Sequence, residues 1–235
     1  MRRRQIKDAI LDVVLDTKVL QTGGHMQEQV PKKERVIAYI DGFNLYFGMR
    51  DAGYHNCRWL NVKLLVEKLL KPHQELLDVK YFTSRVSNSP DKQKRQSIYI
   101  DALESTGIKI VYGKYQDGST ACSRCGHIWR ITKEKMTDVN IATAMMVDAF
   151  QDQYDMAMLI SGDSDLTPPI REVHQVFVSK RVFIAFPPKR YNSSMALVAK
   201  GSEIIGRKKL RDAQFNEEVI SKTGYKLKKP MKWTM

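Results

Sequence analysis

A chain of 235 residues with 43% hydrophobic and 28% charged residues has the apolar content to bury a core, which excludes a disordered acidic chain. The longest apolar runs fall far short of the ~20 residues a bilayer-spanning helix needs. Asp8, Asp12 and Asp16 also interrupt the stretch that would make Arg2-Arg3-Arg4 the start of a signal peptide, so the reading is a cytoplasmic protein with no membrane segment. Three cysteines, two of them in a Cys-x-x-Cys pair, do not make a disulfide framework and agree with a reducing compartment. The net charge of +13 points to a polyanionic partner, with nucleic acid ahead of a membrane, because cationic side chains that neutralise phosphates release counterions. A basic surface that serves only solubility is the plainer alternative.

Residues 1–30 read as a helical appendage. Ile6, Ile10, Val13, Val14 and Leu20 fall at near-helical spacing before Gln21-Thr22-Gly23-Gly24 breaks the pattern. Gly24-His25-Met26 reads equally as a fusion junction with a start at Met26. Residues 31–200 form the main domain in this reading. VIAYI from Val36 predicts a buried strand whose gapless, β-branched character suits a parallel sheet covered on both faces. Asn61 is placed to cap a helix in which Val62, Leu65, Val66 and Leu69 share a face. A strand over Val79 to Thr83 comes next, then a helix from Pro90 with Ser89 as its cap and Gly107 as its terminator. IKIVY, MAMLI and VFIAF supply three more strands, with helices near 137–150 and 167–177. Strands alternating with helices predict right-handed crossovers and a mostly parallel central sheet, an α/β fold.

Two segments depart from that alternation. Residues 114–135 form an insertion containing Cys122-Ser123-Arg124-Cys125-Gly126-His127. Two thiolates at this spacing are half of a tetrahedral Zn²⁺ site, for which His127 and Cys57 are the candidate remaining ligands; a plain reduced loop is the other reading. Arg124, Arg130 and Lys133 would let the same loop touch nucleic acid. Residues 201–235 form a basic extension in which Tyr225 and Trp233 are interleaved with lysines and arginines. It either grips a nucleic-acid strand by phosphate contact and base stacking or packs its aromatics on the domain.

The informative feature is where the acids fall. Asp41 ends the first strand in Asp41-Gly42-Phe43-Asn44, and Asp163 and Asp165 follow MAMLI in Ser161-Gly162-Asp163-Ser164-Asp165. Asp138 opens a helix in Thr137-Asp138-Val139-Asn140, with Ala142, Met145 and Met146 as its expected buried stripe. In an open parallel sheet the working crevice lies beyond the carboxyl ends of the strands, so Asp41, Asp163 and Asp165 would project into one pocket, joined by Asp138 if its helix starts at the same rim. Crowded carboxylates repel unless a cation compensates them, and oxygen ligands suit Mg²⁺ or Mn²⁺. Each acid taken singly also reads as an ordinary helix cap. Asp148, ten residues beyond Asp138, would lie ~15 Å along the same helix and outside the site.

VIAYIDGFNLYFG, KMTDVNIATAMMVDAF and MAMLISGDSDLTPPI resemble, in order and approximate spacing, the three signature segments of the NYN domain family of the PIN-like nuclease superfamily, and FPPKRYNSSMAL resembles the segment that follows them. The resemblance implies a PIN-like three-layer α/β/α fold and metal-dependent cleavage of RNA phosphodiesters, leaving a 5′-phosphate. It assigns Asp41, Asp138, Asp163 and Asp165 to an acidic metal site taking Mg²⁺ or Mn²⁺. Asn44 is a polar companion and Ser161 a contact for water or phosphate. Two other classes stay open: a catalytically weak RNA-binding module of the same fold, and a phosphatase of the haloacid dehalogenase type. The phosphatase would want a second aspartate where Phe43 stands. A metal-free ribonuclease would use histidines, and those of this chain are scattered over unrelated segments.

Overall fold

The computed structural model describes residues 32–86 and 89–233. The chain divides into Met1–Lys32 and Lys33–Met235, and the fold set out below belongs to the second unit. The helix expected near residues 6–20 lies outside the described residues.

Six strands form the central sheet: β1 (Glu34–Asp41), β2 (Gln74–Thr83), β3 (Lys109–Tyr112), β6 (Met156–Ile160), β7 (Arg181–Phe186) and β8 (Gly201–Ile204). Their order is β3-β2-β1-β6-β7-β8 and every pairing is parallel. Strands β4 (Lys114–Ala121) and β5 (Ile128–Lys135) form a separate antiparallel hairpin over the segment read as an insertion, and β9 (Glu218–Ile220) and β10 (Lys226–Lys228) form another. The helices are α1 (Gly42–Asp51), α2 (Val62–Glu67), α3 (Pro90–Ser105), α4 (Thr137–Phe150), α5 (Thr167–Val176), α6 (Ser193–Val198) and α7 (Arg207–Arg211).

The period-2 alternation of strand side chains builds the layers. Val36, Ala38 and Ile40 of β1 pack with Leu45 and Met49 of α1, Leu65 and Val66 of α2, and Leu103 of α3. Ile37 and Tyr39 point the other way, into Ile141 and Met145 of α4 and Ile170 and Val173 of α5. One sheet with a buried cluster on each face makes a three-layer α/β/α domain. β2 begins at Gln74, ahead of the expected Val79, because Glu34↔Gln74 pairing extends the ladder backwards. That half of β2 alternates between exposed and partly buried residues, so it lacked an apolar run to announce it. Asn61 caps α2 as expected, its Oδ1 accepting the Leu64 N–H at 3.1 Å. Ser89 occupies the N-cap of α3 without a side-chain hydrogen bond.

Residues 201–233 are drawn into this domain. β8 is an edge strand of the sheet, Leu210 and Ala213 are fully buried, and the Trp233 ring packs 6.2 Å from Trp59 and 5.6 Å from Tyr99. Packing therefore accounts for Trp233, whereas Tyr225 is 73% exposed. Replacing a buried tryptophan by alanine typically costs ~3–5 kcal/mol. Trp233→Ala should lower the unfolding free energy by the lower part of that range, and the denaturation midpoint with it; an unchanged midpoint would remove Trp233 from the core.

Candidate active site

The sheet reverses its direction of growth at β1, which has β2 on one side and β6 on the other. Ligands of open α/β sheets bind in the crevice beyond the carboxyl ends at such a reversal. The pairing of Ile40 with Ile160 brings Asp41, the last residue of β1, beside Ser161, the first after β6.

Asp41 is 5% exposed and its two oxygens hold different groups. Oδ1 accepts the Asn44 N–H at 2.9 Å and so caps α1, while Oδ2 accepts the Ser161 hydroxyl at 3.0 Å. The Ser161 Oγ also accepts the Asp163 N–H at 3.1 Å, and Asp163 Oδ1 accepts the Asp165 N–H at 3.1 Å. Asn44 closes the ring, its Oδ1 accepting the Gly162 N–H at 3.0 Å. These bonds tie the start of α1 to the turn after β6.

Asp41, Asn44, Asp138 and Asp163 line one cavity of about 220 Å³. Asp138 reaches it from the first turn of α4. Met136, just ahead of that helix, has φ 79°, uncommon for a residue with a side chain, and lines the cavity with Thr137. Asp165 is exposed and outside this lining; Ser161 is fully buried, its hydroxyl engaged by Asp41 and Asp163. Asp148 is also buried, near the far end of α4, where it accepts from the Tyr39 hydroxyl and the Lys80 ammonium at 2.5 Å each. Burial, reinforced by the bond to Asp148, pushes the Tyr39 phenol well up. The stripe that α4 buries runs through Ile141, Met145 and Ala149, so Met145 fits the expected stripe and Ala142 and Met146 are only partly covered.

Reasoning from sequence missed Arg190, Phe43 and Phe47, which share the cavity with the acids. Arg190 pairs with Asp51 at the end of α1. Hydrogen bonds from Arg50, and then the nearby Arg190, hold the Asp51 carboxyl below its ordinary range. The available signal for Arg190 was Gly162. A Cβ there would sit 1.8 Å from the Arg190 backbone oxygen, so the 187–190 turn crosses directly over it. Beside Gly42 at the start of α1, burial and then the Asp41 carboxylate push the Tyr81 phenol up.

Among the described residues, no three His, Cys, Asp or Glu side chains are gathered to hold a metal ion by themselves. The donor chemistry of the cavity nevertheless fits a hard cation, since Mg²⁺ is commonly held by one or two carboxylates and keeps water and phosphate oxygens for the rest of its shell. Asp41 and Asp163 at the adjoining strand ends, with Asp138 facing them from α4, are the residues that would hold it.

The Cys-x-x-Cys pair sits at the tip of the β4–β5 hairpin, in a turn closed by Cys122 N–H to His127 O and Gly126 N–H to Cys122 O, both 2.9 Å. The Arg124 and Cys125 N–H groups donate toward the Cys122 sulfur and hold its thiol below its ordinary range. Cys57 is buried in the main core cluster, and no third ligand joins the pair among the described residues.

Comparison with known proteins places this architecture. Residues 35–206 match the NYN domain model. The chain belongs to the NYN domain family. Its fold is thus of the nuclease-like kind, with the acidic cavity at the reversal of the NYN sheet. A curated relative from Pseudomonas putida, named 6-hydroxy-3-succinoylpyridine 3-monooxygenase, is 25% identical over 70% of this chain, which spans 62% of that protein's length. A solved structure of a protein of unknown function from Vibrio parahaemolyticus has a TM-score of 0.52 at 21% identity, covering 76% of this chain and 96% of that one; the likeness is one of fold. No helix among the described residues is long and apolar enough to cross a membrane.

Proposed function

We propose that this NYN domain is a metal-dependent ribonuclease that hydrolyses phosphodiester bonds in RNA. The observation that carries the reading is the convergence of Asp41, Asp138 and Asp163, from three separate elements, on one cavity at the sheet reversal. A bound Mg²⁺ or Mn²⁺ would activate water and offset the charge developing on the scissile phosphate. The chain's own residues do the rest. Asn44 and Ser161 fix the Asp41 carboxylate through a backbone N–H and a hydroxyl, so its orientation does not have to be gained when substrate arrives. Asp138, which lines the cavity where Asp165 does not, takes the proton released by the attacking water. Arg190, held by Asp51, faces the cavity as a cation for a phosphate oxygen. In-line attack on phosphorus expels the 3′-oxygen and leaves a 5′-phosphate. The surplus of 13 positive charges supports a nucleic-acid substrate, and the cytoplasm is the compartment this reading assigns.

The Pseudomonas relative supports a second reading, hydroxylation of a small aromatic ring. Its specific support is a second cavity of about 370 Å³ beside the first, walled by aromatic and cationic side chains. The two are separated by offering the protein single-stranded RNA with Mn²⁺ and, separately, 6-hydroxy-3-succinoylpyridine with a two-electron reductant in an oxygen electrode. RNA fragments without substrate-dependent oxygen uptake are expected. Oxygen uptake with intact RNA would replace the nuclease reading by the second.

A further inference from the structure

The larger cavity adjoins the acidic one, and Phe43 and Phe47 of α1 line both. In α1, Leu45 and Met49 face the core, whereas Phe43, Tyr46, Phe47 and Arg50, spaced i, i+3, i+4 and i+7, form a second stripe along the cavities. The Phe43 and Phe47 rings are stacked with centroids 6.0 Å apart, and Tyr46 meets Phe47 edge-on at 5.4 Å. The Arg50 guanidinium lies 4.6 Å from the Phe47 ring centre and that of Arg58 5.5 Å from Tyr46. Lys92, Arg95 and Lys232 complete the cationic wall, and no acidic side chain is among the described lining residues. Arg58 Nε is buried without a hydrogen-bond partner. A helix face of this kind needs no aromatic stripe for folding, because its core contacts are made by the other stripe. Aromatic faces with cations around them match planar bases joined by phosphates, and a volume of about 370 Å³ falls within the ~300–1,000 Å³ usual for ligand sites.

We infer that this cavity is a base-stacking subsite that seats a nucleobase of single-stranded RNA next to the phosphate held in the acidic cavity. The inference rests on the nuclease reading for its choice of polymer. Tyr46 and Phe47 supply the stacking faces, Arg58 and Arg95 meet the flanking phosphate or a base edge, and the shared Phe43–Phe47 wall sets the spacing from base to scissile bond. The nuclease is thereby a reader of unpaired strands, since a base held in a duplex stack cannot enter.

The test measures binding of a short single-stranded RNA and of the same strand with abasic positions, using the whole chain carrying Asp163→Asn so that cutting is slowed beyond the time of the binding measurement. Loss of one stacked base should weaken binding about tenfold or more. Tyr46→Ala should weaken binding of the intact strand by a similar factor and leave abasic binding nearly unchanged, while Tyr46→Phe retains tight binding. Arg95→Ala, on the partly exposed face of α3, repeats the comparison without touching the aromatic stripe and should weaken both strands alike. Equal binding of intact and abasic RNA, or a Tyr46→Ala loss that is the same for both, overturns the subsite. Cleavage by the wild type is scored separately: base-dependent binding without cleavage keeps the subsite and removes the nuclease reading, and cleavage with base-independent binding does the reverse.

Discussion

Asp163→Asn should reduce RNA cleavage by about 10²- to 10³-fold while the domain stays folded. On the proposed reading this side chain has two jobs, and the substitution separates them. Asp163 is the N-cap of the short turn Ser164–Leu166, its Oδ1 accepting the Asp165 N–H at 3.1 Å, and an asparagine oxygen can accept the same bond. The stability cost is therefore a few tenths of a kcal/mol to ~1 kcal/mol. What asparagine cannot supply is the negative charge facing Asp41 and Asp138 across the cavity, and removal of one transition-state interaction of this kind typically costs ~10² to 10³ in rate. The comparison needs saturating Mn²⁺ and a thermal melt of each protein. A folded variant that cleaves at the wild-type rate takes Asp163 out of the chemistry.

Gly162→Ala should damage both stability and activity. Its new Cβ would stand 1.8 Å from the Arg190 carbonyl oxygen and 2.8 Å from the Arg190 carbonyl carbon, and backbone atoms cannot swing aside as a long side chain does. Overpacking costs typically ~1–3 kcal/mol, and a backbone clash belongs at or above the upper end. Relief means moving either the 187–190 turn, which carries Arg190 out of the cavity, or the 161–163 turn, which strains the Gly162 N–H to Asn44 bond at 3.0 Å. Activity should then fall at least tenfold at temperatures where the variant remains folded. A variant with the wild-type melting temperature and rate would show that the turns are not held against each other as described.

The layered fold was legible because β1, β6 and β7 are short apolar runs separated by helices with recognisable caps, of which Asn61 is the clearest. Asp41 and Asp163 were legible for a related reason: an acid beside glycine at the end of a buried strand has one place to go, the carboxyl edge of the sheet. Asp165 looked equivalent to Asp163 in the sequence, yet residues two apart in a helical turn point in different directions, and the Ser164–Leu166 turn leaves Asp165 exposed outside the cavity lining. Arg190 was legible only indirectly: Gly162 signals a close approach, but not that the 187–190 turn after β7 is what crosses it. The spacing of Phe43, Tyr46, Phe47 and Arg50 is visible in DGFNLYFGMR, but Leu45 and Met49 lie on the same helix, and only tertiary packing decides which stripe goes inward. Composition left residues 201–235 open between a grip on nucleic acid and a tail that packs its aromatics on the domain, because lysines and arginines dominate it; a few apolar side chains, Leu210, Ala213 and Trp233, fasten residues 201–233 to the domain.

The most direct measurement incubates wild-type protein with end-labelled single-stranded RNA in Mn²⁺, in Mg²⁺ and in EDTA, and analyses the fragment ends. Cleavage that requires the divalent ion, leaves 5′-phosphates and disappears in Asp163→Asn is the expected result. RNA left intact with both metals, or cut equally well in EDTA, would contradict the assignment of the acidic cavity as a metal-dependent nuclease site.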